Sequence, residues 1–69
     1  MKLSLLTPLD TKQFDNVDEV VLPTTLGEIA VLPPHERLVA ELAPGTIEVR
    51  AGGNTDHFAG CEGCAKITG

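Results

Sequence analysis

The sequence has no tryptophan and no tyrosine, and its only aromatic residues are Phe14 and Phe58. A core built from it must use Leu, Val and Ile, with little large-ring packing to help. Basic residues are also scarce: five against ten acidic ones, for a net charge of −5. No basic cluster exists, which excludes the phosphate-binding patch a nucleic-acid partner needs and disfavours an anionic membrane surface. No apolar run approaches the ~20 residues that span a bilayer. Nothing at the N-terminus reads as a signal peptide, since Lys2 leads directly into an alternating segment. The expectation is a cytosolic chain without direct lipid insertion, whose link to any membrane runs through another protein. Long helix-competent windows are missing as well, because five Pro and seven Gly interrupt the sequence at short intervals.

At 69 residues the chain allows one domain with a thin core. A chain this short buries about 60% of its unfolded surface and is marginal alone, so staples or partner subunits are expected. The acids run from Asp10 to Glu62 with no block longer than Asp18-Glu19, the pattern of a solvated surface.

What is present is a series of strand signals. Lys2–Leu6 alternates, with Leu3 and Leu5 on one face, and stops at Thr7-Pro8. Lys12–Phe14 reads as a short edge strand. Val17–Leu22 is rich in β-branched residues and is expected to end at Pro23. Thr24-Thr25-Leu26-Gly27 is a turn, and Glu28–Leu32 alternates again with Ile29 and Val31 inward. Pro33-Pro34-His35 breaks the ladder, because prolines cannot donate to it. Arg37–Leu42 reads either as a short strand or as one helical turn, ended by Ala43-Pro44-Gly45. Thr46–Arg50 places Ile47 and Val49 inward, Ala51-Gly52-Gly53-Asn54 is a hairpin loop, and Thr55–Ala59 returns. Cys61-Glu62-Gly63 is a tight turn before the last strand, Cys64–Thr68. This spacing predicts an all-β flattened barrel or sandwich of short, mostly antiparallel strands in a single domain over 1–69. The sequence stops directly after a strand, which is expected to leave an edge open to edge-strand self-association.

Chemistry-bearing residues are few. Cys61 and Cys64 form a C-x-x-C spacing with no accompanying helix to lower a thiol pKa. It reads as two unlinked thiols at a turn, as a redox pair or disulfide, or as half of a metal site with His57 as a third ligand and His35 as a remote fourth; four ligands would be needed for structural zinc. Alternation puts His57 and Phe58 on opposite strand faces, and a surface His is the plain reading of His57. Neither His35 nor His57 has a Ser or Asp at triad-like spacing. Glu28, His35, Glu36 and Arg37 read either as a solvated loop or as a polar contact surface held by a rigid sheet. Gly52-Gly53 lacks the Lys-Ser/Thr ending of a phosphate loop.

These blocks resemble, in order, the N-terminal domain of the epsilon subunit of bacterial-type ATP synthase (delta in mitochondria). Leu3-Ser-Leu-Leu-Thr-Pro8 is similar to its opening strand, and Phe14 with Val17–Thr24 to its second block. Gly27-Glu-Ile-Ala-Val-Leu-Pro33 with His35 after it is its most recognisable signature. Leu38-Val39 and Leu42–Gly45 resemble its next strand and turn. Thr46–Arg50, His57-Phe58-Ala59 and Gly63–Thr68 resemble its closing hairpin. The resemblance implies a non-catalytic rotor subunit without cofactor. It would bind the gamma subunit and the membrane c-ring on the cytoplasmic side of the bacterial membrane, and help couple ion translocation to ATP synthesis. It implies that Glu28 and His35 lie on the loop facing the c-ring. The sequence departs from the family pattern at Pro34, Glu36-Arg37, Cys61 and Cys64. It also lacks that family's further strand and C-terminal helical hairpin. The alternative from a different class is a small thiol, metal-binding or redox β module using Cys61 and Cys64.

Overall fold

The computed structural model describes residues 1–8, 10–33, 37–60 and 63–68. Eight strands occur in chain order: β1 (Lys2–Leu6), β2 (Thr11–Phe14), β3 (Glu19–Thr24), β4 (Gly27–Val31), β5 (Leu38–Glu41), β6 (Gly45–Ala51), β7 (Asn54–Gly60) and β8 (Cys64–Thr68). They form two four-stranded antiparallel sheets. Sheet A has the order β2-β1-β8-β5 and sheet B the order β4-β3-β6-β7. The all-β sandwich expected from the spacing is the architecture observed.

The alternation of side chains explains the packing. Leu3 and Leu5 of β1 and Ala65 and Ile67 of β8 face inward from sheet A. Val20 and Leu22 of β3, Val31 of β4, and Ile47 and Val49 of β6 meet them from sheet B. Val17 and Leu42, just outside strands, complete this aliphatic core. Each fully buried Leu, Ile or Val stabilises the fold by about 1.5–3 kcal/mol. Where the sheets meet beside β2 and β7, Phe14 and Phe58 stack at 5.4 Å between ring centroids, tilted by 50°. The two aromatic residues of the chain are therefore spent on one contact.

Three expectations are modified. The strand expected at Val17–Leu22 runs instead from Glu19 to Thr24. Asn16 takes a left-handed φ of +55° and turns the chain. Val17 then exchanges backbone bonds with Met1, donating at 2.9 Å and accepting from the terminal ammonium at 3.2 Å. At the other end β3 continues through Pro23, which pairs with Glu28. The Pro23 carbonyl accepts from Ala43 N–H at 2.9 Å. In an extended residue nitrogen and carbonyl point to the same side, so the missing Pro23 N–H faces away from β4 and no ladder bond is lost.

The ambiguous segment Arg37–Leu42 contains a strand, β5, in register with β8 from Leu38↔Ile67 to Glu41↔Cys64. The chain then crosses between sheets: Leu42 N–H donates to the Gly63 carbonyl at 2.9 Å and forms an isolated bridge to Thr24.

The third correction concerns the last strand. β8 is not an open edge, because it lies between β1 and β5. Among the described residues the free edges are β2 and β5 in sheet A and β4 and β7 in sheet B. The strand nearest the end of the sequence is thus among the best paired, since closing sheet A requires it to bridge the first strand and the fifth.

Candidate contact surface

Glu28 stands at the start of β4, on the outer face of an edge strand. Its position is set by the β3–β4 hairpin, whose loop is Thr25-Leu26. The Thr24 hydroxyl accepts from Leu26 N–H at 3.2 Å and donates to the Gly27 carbonyl at 2.5 Å. Thr25 N–H donates to the Glu41 carbonyl at 3.2 Å, tying the turn to the end of β5. A two-residue loop held by these bonds is stiff, and Glu28 projects from it into solvent. Among the described residues it has no ion-pair partner.

The sequence reading missed the neighbour of Glu28. Leu26, at the tip of the turn, is 98% exposed, and Leu32 at the far end of β4 is 52% exposed. Residues 26, 28, 30 and 32 share the same alternation parity along the edge. A lone Leu in the turn Thr-Thr-Leu-Gly was the available signal, because turn positions otherwise favour small polar residues. The result is a short ridge with an acid between two exposed leucines, on a rigid hairpin. His35, Glu36 and Pro34 lie outside the described residues, so only Glu28 of the two expected contact residues is placed.

Two ion pairs lie elsewhere on sheet B among the described residues, and Asp56 of β7 is in neither. Arg50 bonds to Glu19 across β6 and β3, and His57 Nε2 lies 2.9 Å from Glu48 Oε1 across β7 and β6. As alternation predicted, His57 is exposed on the outer face while Phe58 is half-buried inward. Cys64 is a half-buried free thiol on the outer side of β8. His57 and Cys64 therefore sit on opposite outer faces of the sandwich and do not converge on one ion, and Cys61 lies outside the described residues. Among the described residues no group of three His, Cys, Asp or Glu could hold a metal, and no polar or charged side chain is buried. The arrangement is suited to contact: exposed apolar and acidic groups on a stiff edge.

Known proteins resemble the chain along its whole length. The profile of the family described as "ATP synthase, Delta/Epsilon chain, beta-sandwich domain" matches residues 1–69. The "ATP synthase epsilon chain" of Synechococcus sp. (strain WH7803) is 40% identical over 68 residues, covering 97% of this chain and 49% of that protein. The protein of the same name from Prochloron didemni is 36% identical over 67 residues, with 97% and 49% covered. "ATP synthase subunit delta', mitochondrial" of Pisum sativum is 45% identical over 42 residues, covering 61% of this chain and 21% of that protein. The chain thus spans about half the length of the epsilon-chain relatives it matches. No solved structure gives a significant match.

Proposed function

The chain belongs to the ATP synthase delta/epsilon family through its β-sandwich domain, and on that premise we propose that it is a non-catalytic central-stalk subunit of a rotary ATP synthase. In this reading residues 1–69 form a single domain that links the gamma subunit to the membrane c-ring. It sits at the cytoplasmic side of the bacterial membrane and helps couple ion translocation to ATP synthesis. The observation that carries the reading is the family match along the whole chain, joined to the stiff β3–β4 hairpin that carries Glu28.

Physically, a rotor contact must pass torque without yielding. A loop pinned by Thr24, Gly27 and Glu41 contributes little flexibility, so less ordering entropy is lost when it docks. Leu26 supplies apolar area to be buried at the contact, and Glu28 supplies orientation through a charge that selects polar or basic partner loops. His35 is the second contact group of this reading, facing the c-ring with Glu28.

Two experiments test this. Mixed with purified gamma subunit, the chain co-elutes in size exclusion as a stoichiometric complex; separate elution of two folded proteins would overturn the reading. Detergent-solubilised c-ring with bound gamma captures the wild-type chain more tightly than Glu28→Lys or Leu26→Asp. Each variant loses roughly tenfold in affinity, the equivalent of ~1.4 kcal/mol. Equal capture of wild type and both variants would remove this hairpin from the contact.

A further inference from the structure

Of the four free edges, β7 is the longest, with seven residues against five in β4 and four each in β2 and β5. It contains neither proline nor lysine, two of the residues that natural edges use to block pairing. In the tight hairpin closed by Gly52-Gly53, Ala51↔Asn54 is the first hydrogen-bonded pair. Alternation from that pair directs the N–H and C=O groups of Thr55, His57 and Ala59 away from β6, toward the open edge.

We propose that this edge pairs with the same edge of a second copy of the chain, antiparallel and two-fold symmetric, in the register centred on His57. The register is set by charge. Centred on His57, it sets Asp56 opposite Phe58 of the second copy. The ammonium of Lys12 stands 4.7 Å from the centre of the Phe58 ring. Asp56 of each copy therefore meets Lys12 of the other, and the two-fold axis repeats the pair. Shifting the centre to Asp56 would oppose two aspartates, and centring on Phe58 would carry Asp56 past the lysine. In the His57 register, Thr55 and Ala59 exchange backbone bonds across the axis, as do the two His57 residues. Such pairing of unsatisfied backbone groups is the general mode of strand addition.

Apolar burial accompanies it. A groove of about 540 Å³ opens beside the same edge, with Leu5, Leu42, Ile47 and Phe58 in its walls. A strand laid along β7 covers the Phe58 side of that groove. Because β7 and β4 are opposite edges of sheet B, this pairing leaves the Glu28 hairpin free. Self-association and the contact made by the Glu28 hairpin therefore succeed or fail independently.

Sedimentation equilibrium of the 69-residue chain at about 0.15 M salt, where the repulsion between two copies of net charge −5 is largely screened, is expected to show a monomer–dimer equilibrium. Lys12→Glu or Asp56→Lys raises the dissociation constant about tenfold, since each removes two symmetry-related ion pairs and adds repulsion. The double swap Lys12→Glu with Asp56→Lys restores the wild-type value. His57→Pro removes an N–H that β6 does not use, and so returns the chain to monomer, with far-UV circular dichroism confirming that the sandwich is retained. A folded chain that stays monomeric at millimolar concentration would overturn the proposal. So would a dimer indifferent to the charge reversals and their rescue.

Discussion

Single residues in this domain are constrained mostly by space, and Gly63 shows it most sharply. It has a φ of +132°, and a Cβ placed there would lie 2.0 Å from the Leu6 carbonyl oxygen. Its own carbonyl accepts from Leu42 N–H at the crossing between the sheets. Gly63→Ala must therefore displace backbone at the point where β1, β8 and the β5–β6 crossover meet. The expected cost is on the order of 3 kcal/mol, read as a lowered urea midpoint. For a domain this small that is a large share of the total stability. A midpoint within ~0.5 kcal/mol of wild type, the range of an ordinary surface change, would show that the crossover is looser than its geometry. The sequence marked Gly63 only as part of a tight turn. Which glycine stands against another strand's backbone depends on residues far apart in the chain.

Among the elements, the β6–β7 hairpin was the most legible. Alternation in Thr46–Arg50, two glycines and a second run are enough to fix it, because a two-residue loop with positive φ at both positions matches strand twist. Gly52 and Gly53 indeed take φ of +59° and +81°, and nothing lies within 4 Å of a Cβ built at either. The constraint here is conformational only. Gly53→Asn is expected to stay within ~0.5 kcal/mol of wild type, whereas Gly53→Val costs about 1–2 kcal/mol, because a β-branched residue resists the left-handed region. Chemical denaturation of the two variants checks the difference, and equal stabilities would mean the turn rearranges. β5 was the least legible element. Leu38-Val39-Ala40-Glu41 is four residues long, too short for its period to separate strand from helical turn. Its pairing with β8 decides the matter. The extension of β3 through Pro23 was hidden for a related reason: a proline is tolerated or not according to which side its nitrogen faces, and only the neighbouring strands define the sides.

At the scale of the whole molecule, the thin core has consequences for assembly. Among the described residues, eleven buried aliphatic side chains and one aromatic contact hold the two sheets together, and the exposed ones include Leu26, Leu32 and Val39. A domain of this kind gains stability by binding. On the proposed partnership, saturation with gamma subunit at about a hundredfold over the dissociation constant is expected to add ~2.7 kcal/mol. For a domain of roughly 60–100 residues this corresponds to a rise in apparent Tm of about 10 °C or more. Differential scanning fluorimetry of the chain with and without gamma measures it, and an unchanged transition would argue against that partnership. Of the candidate contact surface, Glu28 was legible through its resemblance to a known signature. Leu26 was not, because exposure of an apolar side chain is a property of the folded surface.

The sequence by itself determined the local periodicities: which runs are extended, which residues alternate inward, where the chain must turn, and that the core is aliphatic. These come from side-chain period, proline and glycine, all of which act within a few residues. The tertiary structure decided what depends on distant neighbours. It enclosed β8 between β1 and β5, left β7 as the long open edge, carried β3 through Pro23 and set His57 and Cys64 on opposite faces. Beyond the tight hairpins, strand order and edge exposure are pairings between segments tens of residues apart, which no local pattern encodes.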